Sequence, residues 1–167
     1  MLLGSNNTRQ QYDNEEALII VLLTQGRYAE AYALLMKESP DEPSTQYNLA
    51  LCHYWAAQYQ EALICLDRAQ MTLPPRSNNN KAYNQFYAAI LENQNQLDDH
   101  LHAITKKYIV LFKILTRDAI LRLKTDCWLK LGNFSKVIET ATPIAHKNYK
   151  NIAEALQIAK NHTTNEQ

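Results

Sequence analysis

The stretch from residue 44 to residue 74 constrains the fold more than any other, because it predicts two helices joined by a tight turn. Apolar residues recur at helical spacing over residues 47–55, which indicates the first helix. The turn is predicted at residues 57–58, and the second helix opens at Tyr59. Pro74 ends that helix, because proline has no amide hydrogen to donate. Three small residues would let the two backbones approach closely: Ala50, Ala62 and Ala69.

This stretch resembles a tetratricopeptide repeat, a helical hairpin of about 34 residues that stacks on its neighbours. The family pattern has a small residue in the first helix, Tyr-x-x-Ala at the start of the second, a later alanine and then a proline. The chain departs from it at His53, where tyrosine is usual, and at Ala57, where the turn normally has glycine. The matching residues are Leu49, Ala50, Tyr59, Ala62, Leu66, Ala69 and Pro74.

Residues 14–40 and 117–143 carry part of the same pattern. Each has a turn glycine, an aromatic residue that opens the second helix, and an alanine or valine three positions later. In the first stretch Glu38 replaces the later alanine. The matching residues are Gly26, Tyr28 and Ala31 in the first stretch, and Gly132, Phe134, Val137 and Ala141 in the second.

The spacing of these aromatic residues predicts a further repeat that is longer and degenerate. Tyr59 follows Tyr28 by 31 residues, but Phe134 follows Tyr59 by 75, room for two periods of about 34. A helix is predicted from Lys81 to Asn93, with Tyr83, Phe86, Tyr87 and Ile90 on one face. A second, unusually long helix is predicted from Leu97 to Leu115, and whether it breaks at residues 116–118 before a helix over residues 119–131 stays open. Its stripe is Leu97, Leu101, Ile104, Tyr108, Leu111 and Leu115.

The predicted fold is all-α. Three glycines and five prolines in 167 residues are too few for a turn-rich β protein. The resemblance implies an α-solenoid of three to four helix-turn-helix repeats, closed by a C-terminal capping helix near residues 148–161. Residues 13–161 are predicted to form this single domain, with flexible ends at residues 1–12 and 162–167.

No catalytic or metal-binding pattern is present in the sequence. The three cysteines form no C-x-x-C pair, which favours packed thiols in a reducing compartment. His100 and His102 are two positions apart, so on a helix they would point away from each other and could not share a metal. With three glycines, a phosphate-binding loop is hard to build. We therefore predict a protein that is not an enzyme and uses no cofactor or metal.

The sequence also predicts a soluble, cytoplasmic protein without a membrane partner. Met1-Leu2-Leu3 is followed at once by polar residues, so no secretory signal is visible. The apolar run at residues 18–23 is far shorter than the ~20 residues of a membrane span. Basic and acidic residues both number 17, so net charge implies no obligatory polyanion partner.

The resemblance implies a non-catalytic module for protein–protein interaction: an adaptor, a scaffold or a small chaperone. In stacked hairpins the first helix of each pair lines a concave face that can hold a peptide or protein segment. The competing interpretation is that some of these side chains pack on the neighbouring repeat. The predicted partner-binding residues are Tyr47, Leu51, Tyr54 and Trp55.

One known mode of the family is predicted to be absent. Some members bind the acidic C-terminus of heat-shock chaperones through a lysine and an asparagine on the first helix of the first repeat. The matching positions here are Glu16 and Ile20, a repelling carboxylate and an apolar side chain. No tight binding of chaperone tails is therefore predicted.

Other functions stay open beside protein binding. Residues 106–130 carry seven lysines and arginines against two aspartates, with Tyr108 and Trp128 interleaved, a pattern that also suits RNA or another anionic partner. A solvated exterior would explain the same charges. A regulatory subunit of an enzyme is the third alternative, and a homodimer is a further candidate assembly.

Overall fold

The computed structural model describes residues 5–75 and 84–164. Over these ranges the chain is helical and contains no β-strand, which confirms the all-α class. Two short 3-10 helices lie at Asp99–Leu101 and Thr142–Lys147. The α-helices are α1 (Ser5–Thr24), α2 (Tyr28–Leu35), α3 (Pro43–Trp55), α4 (Tyr59–Thr72), α5 (Gln85–Gln94), α6 (Lys106–Leu111), α7 (Lys113–Lys130), α8 (Phe134–Ala141) and α9 (Lys150–Thr164).

Three helical pairs, α1–α2, α3–α4 and α7–α8, are joined by the same turn. Each first helix is followed by a residue in the left-handed region: Gly26 at φ 71°, Ala57 at φ 58° and Gly132 at φ 69°. The amide of this residue bonds the carbonyl three positions back, and the next amide bonds the carbonyl five positions back from itself. This is the Schellman arrangement that ends helices. The predicted turns are confirmed, as are the helix starts at Tyr28, Tyr59 and Phe134.

Ala57 is the one position of the three where a β-carbon occupies the left-handed conformation. That conformation destabilises an alanine by about 1–2 kcal/mol. Glycine avoids this strain but loses more conformational entropy on folding, which cancels part of the gain. Ala57→Gly is therefore expected to raise the free energy of unfolding by about 0.5–1 kcal/mol, measured by urea denaturation.

Gly132→Ala is the matched control for this prediction. A β-carbon at Gly132 would meet no atom within 4 Å, so only the backbone conformation is tested. We expect the free energy of unfolding to fall by a similar amount. Changes of the same sign in both variants would contradict the explanation.

The second and third hairpins pack directly on each other. Ala50 and Ala62 are fully buried where α3 and α4 meet, as the resemblance implied. On its other side α4 contacts α7, which also packs against α8 and α9. Residues 84–112 therefore do not form a closely packed hairpin between α4 and α7, and the prediction of a degenerate repeat at that place in the stack is wrong.

The single helix predicted from Leu97 to Leu115 is also wrong. After the first 3-10 helix residues 102–105 are not helical, with His102 and Thr105 in extended conformations, and Phe112 (φ −127°, ψ 53°) separates α6 from α7. The N–H and C=O of Ile104 pair with the side chain of Asn48 instead of with helical neighbours. Thr105 then caps α6, its hydroxyl accepting from the amide of Tyr108 at 3.0 Å. No break occurs at residues 116–118, which lie inside α7.

The ends of the described chain are helical further out than predicted. α1 begins at Ser5 rather than near Asn14, and α9 continues to Thr164. Once a helix is nucleated, adding polar residues costs little, which explains the extension. Ile152, Ala155 and Ala159 are buried against the fold, as a capping helix requires. The predictions at residues 1–4, 76–83 and 165–167, including the first turn of the helix expected from Lys81, lie outside the described residues.

Candidate protein-interaction surface

Two of the four predicted partner residues belong to the core. The side chains of Tyr47 and Leu51 are 0% and 1% exposed. The prediction that these two residues bind a partner is wrong, because other residues of the same chain already cover this face of α3. The aromatic residue at 47 is therefore a packing residue in this fold.

The cover is a short segment, residues 100–104, held much as a bound peptide would be. The hydroxyl of Tyr47 donates to the carbonyl of His100. The side-chain amide of Asn48 donates to the carbonyl of Ile104 at 2.9 Å and accepts from its N–H at 3.0 Å. The chain after this segment is tied to α1, since Glu16 accepts from the amide of Lys106 at 2.8 Å. We call residues 100–104 the cover segment.

Arg122 anchors the chain just before the cover segment. Its guanidinium donates to the carbonyl of Leu97 and to Oδ1 of Asn151, both at 2.7 Å, and lies 4.5 Å from the centre of the Tyr149 ring. Burial lowers the pKa of Arg122, because desolvation outweighs the nearby negative and phenolic groups. Arg122, itself on α7, thus ties the chain at Leu97 to α9.

A second chain of polar contacts fixes the cover segment itself. Nε2 of the buried His100 lies 2.6 Å from Oδ2 of Asp126, and Oδ1 of Asp126 accepts from Asn151 at 2.9 Å. His100 is therefore held inside the fold, where its ring has a structural role. These bonds make the cover segment an integral part of the domain.

A cavity of about 300 Å³ lies beside the cover segment, and three groups in its lining, those of His100, Asp118 and Arg122, already have polar partners within the fold. Asp118, which lines it, accepts from Lys147 at 2.7 and 2.9 Å and from the hydroxyl of Tyr149 at 2.6 Å. Burial, followed by this hydrogen bond, raises the pKa of Tyr149. The carboxylate of Asp118 is therefore already engaged by the fold.

The other two predicted residues, Tyr54 and Trp55, lie in an aromatic cluster at the end of α3. Trp55 stacks on Tyr28 at 5.8 Å between ring centres, and it meets Tyr54 edge-on at 5.5 Å. Tyr54 is half-buried against the core, with its pKa raised mainly by desolvation, whereas Trp55 is 49% exposed. Trp55 is therefore the most exposed of the four predicted residues.

The second exposed apolar surface is a groove between α5 on one side and α6 and the start of α7 on the other. It encloses about 240 Å³. None of the residues of α5 is buried, and Phe86 and Ile90 are 70% and 65% exposed. Tyr108 and Phe112 pack ring against ring on the far wall, 5.0 Å between centres. We call this the α5–α6 groove; it is lined by Tyr87, Ile90, Leu91, Gln94, Tyr108, Phe112 and Leu115.

The basic residues of the 106–130 stretch do not form one strip. Arg122 is buried, Arg117 donates to the carbonyl of Pro74, and Lys124 lies 2.6 Å from a carboxylate oxygen of Asp67. Lys113 and Lys130 stand at opposite ends of α7, about 25 Å apart by helical rise. Lys106 and Lys107 lie in the first turn of α6 and are exposed. Lys113 follows them six residues later, at the start of α7.

The cysteines of the domain are packed thiols. Burial raises the pKa of Cys52 and of Cys127 to about 12, and it also raises the pKa of Cys65. A thiol with such a pKa carries almost no thiolate near neutral pH, so it is a poor nucleophile. Within residues 5–75 and 84–164 no group of three or more His, Cys, Asp or Glu side chains is arranged to hold a metal ion.

Compared with family models, curated proteins and solved structures, the chain has no significant match. The tetratricopeptide resemblance thus stays a prediction. In the part of the chain that the structure describes, no helix combines the length and the apolar character needed to cross a bilayer.

Sequence reasoning missed both the cover segment and the groove. Asn48 was visible as an asparagine within an apolar helix, a position where a buried amide needs a partner. Its partner is 56 residues away, and nothing local identifies it. The groove had a signal, since Phe86, Tyr87 and Ile90 were predicted on one helical face, but the periodicity did not show whether that face is buried or exposed.

Proposed function

We propose that this chain is a non-catalytic protein-interaction module built from three tetratricopeptide-type hairpins and a capping helix. The identical turns at Gly26, Ala57 and Gly132 support the repeat assignment. The buried small residues Ala31, Ala50 and Ala62 support it as well. Its partner is a segment of another protein, and a cytoplasmic location remains the prediction.

The observation that carries this proposal is the α5–α6 groove. The cover segment occupies the face of α3 that carries Tyr47 and Asn48, so we place the partner on another surface. Proteins rarely leave large apolar side chains together in solvent without a partner to cover them. Phe86 and Ile90 on α5 face solvent beside a concave surface whose walls are aromatic and aliphatic. Such a surface suits the helix-in-groove mode of binding.

A photo-crosslinking side chain placed at Ile90 in the native source tests this function. We expect one protein to be captured from Ile90 and not from Met71, an apolar residue of α4 that is 83% exposed. With that protein purified, calorimetry should give an affinity about tenfold or more weaker for Ile90→Glu, because a charge would enter the contact. Met71→Glu should bind like the unaltered chain.

Two results would contradict the proposal. Equal capture from Ile90 and Met71 would mean non-specific contact, and an affinity unchanged by Ile90→Glu would place the partner elsewhere. Trp55→Ala tests the other exposed surface. If this variant lost binding while Ile90→Glu kept it, the partner would bind the aromatic cluster at the end of α3. RNA binding, the second candidate, would instead appear as an affinity that falls steeply with salt.

A further inference from the structure

We propose that the cavity beside the cover segment binds a small zwitterion, an amino acid with an apolar side chain. The inference goes beyond the proposed function, because it assigns a second site with a different kind of ligand. It follows from one cation and one carboxylate in the cavity lining that have no ionic partner in the fold, and from the apolar walls around them.

The cation is Arg122, which is buried and lines the cavity. Among the described residues, no carboxylate oxygen lies within 4.0 Å of its guanidinium. The guanidinium donates from Nε to Asn151 and from Nη2 to the carbonyl of Leu97, and neither acceptor carries a charge. Nη1 has no hydrogen-bond partner in the part of the chain that the structure describes. Because a buried charge is costly unless it is paired, this group is suited to bind the carboxylate of a ligand.

The carboxylate is that of Asp99, which is partly exposed and lines the same cavity. The side-chain amide of Gln94 donates to its Oδ2. No lysine, arginine or histidine nitrogen of the described ranges lies within 4.0 Å of the carboxylate. Asp99 raises the pKa of Arg122, so the two charges interact although they form no ion pair. An ammonium group would pair with Asp99 as a carboxylate would pair with Arg122.

The other acidic groups near the cavity are already held by the fold. Asp118 has Lys147 as its ionic partner at 2.7 Å. Asp126 lies outside the lining, and its Oδ2 is 2.6 Å from Nε2 of His100. The remaining histidine of the lining, His102, is exposed. The cation and the carboxylate described above are therefore the charges that stay available to a ligand.

A zwitterion fits these charges better than an acid or an amine alone. A simple acid would pair with Arg122 but would be repelled by Asp99 and Asp118, whereas a simple amine would leave the buried guanidinium unpaired. A volume of about 300 Å³ is at the lower end for small-molecule sites, which suits a molecule of amino-acid size. The apolar part of the lining, which favours an apolar side chain on the ligand, consists of Leu91, Ala103, Ile104, Leu115 and Ala119.

Matched ligands test the proposal by calorimetry on the full chain. L-Leucine, L-methionine and L-phenylalanine are each compared with an analogue that lacks only the amino group and one that lacks only the carboxylate. For leucine these analogues are 4-methylpentanoate and 3-methylbutylamine. We expect at least one amino acid to bind about tenfold or more tightly than both of its analogues, because each analogue loses a charged hydrogen bond.

Variants of the chain assign the effect to the cavity. Asp99→Asn keeps an oxygen that can accept from Gln94, and it should weaken the amino acid about tenfold without weakening its acid analogue. Asp98→Asn, at an exposed neighbour outside the lining, should change neither affinity. Arg122→Lys should weaken both the amino acid and the acid analogue, because lysine lacks the planar fork. Thermal unfolding checks that this last variant folds, and the two asparagine variants decide the question if it does not.

Three outcomes would overturn the proposal. The first is no saturable binding of any of the three amino acids up to about 10 mM. The second is an acid or amine analogue that binds as tightly as its amino acid. The third is an equal response to Asp99→Asn and Asp98→Asn. None of these outcomes bears on the proposed function, because the variants leave unchanged the four residues that line both the cavity and the α5–α6 groove: Leu91, Gln94, Tyr108 and Leu115.

Discussion

Tyr47→Ala is expected to lower the free energy of unfolding by about 4 kcal/mol. Removing a fully buried aromatic ring deletes its transfer free energy and leaves a cavity, which together cost about 3–5 kcal/mol. The carbonyl of His100 would also lose the hydroxyl that donates to it. Urea denaturation monitored by circular dichroism measures the change.

Trp55→Ala is the matched control, because it truncates a larger ring on the same helix. About half of that ring is in solvent and its main stacking partner is Tyr28, so we expect a loss of about 1 kcal/mol. Similar losses for the two variants would contradict the assignment of Tyr47 to the core. So would a Tyr47→Ala protein that kept its stability and lost only partner binding.

Asn48→Ala is expected to lower the free energy of unfolding by about 3 kcal/mol. Its amide pairs with both the N–H and the C=O of Ile104, and each buried backbone group left unsatisfied costs about 1–3 kcal/mol. Alanine's higher helix propensity returns about half a kcal/mol of this loss. The amide hydrogen of Ile104 should also exchange with solvent much faster than in the unaltered chain.

Asn161→Ala, at an exposed position of α9, controls for the change of residue type. It is expected to leave the free energy of unfolding within about 0.5 kcal/mol of the original value. If Asn48→Ala proved equally mild, the cover segment would not depend on this side chain.

The hairpins could be predicted because their signals are local. A glycine or alanine followed by Tyr28, Tyr59 or Phe134 two positions later marks each turn, and the hydrogen bonds that close the turn join residues at most five positions apart. Pro74 likewise follows α4 within two residues of its end. Backbone geometry and capping act over the same short distances as the sequence pattern.

Residues 97–115 could not be predicted in the same way. Their apolar stripe fits one helix, but the chain is α-helical only over residues 106–111 and again from Lys113 onward. The side chain of Asn48 competes for the backbone of Ile104, and the carboxylate of Glu16 competes for the amide of Lys106. Tertiary hydrogen bonds override a periodic pattern when they satisfy buried groups that a helix would otherwise pair.

The partner residues predicted on α3 show the same limit of sequence reasoning. Tyr47, Leu51, Tyr54 and Trp55 all lie on α3, but periodicity cannot tell a side chain that faces solvent from one that faces a distant part of its own chain. Trp55, the last residue of α3, is about half exposed and stacks on Tyr28. The exposure of α5, which buries none of its residues, could likewise not be read from its periodicity.

The pairing of Asn48 with Ile104 also orders events on the ribosome. The two residues are 56 positions apart, so α3 is synthesised and can pair with α4 well before the cover segment has left the exit tunnel. During that interval the face around Tyr47 lacks the segment that covers it in the finished domain. Completion of the domain has to wait for translation to pass α9, because Asn151 there links Arg122 to Asp126.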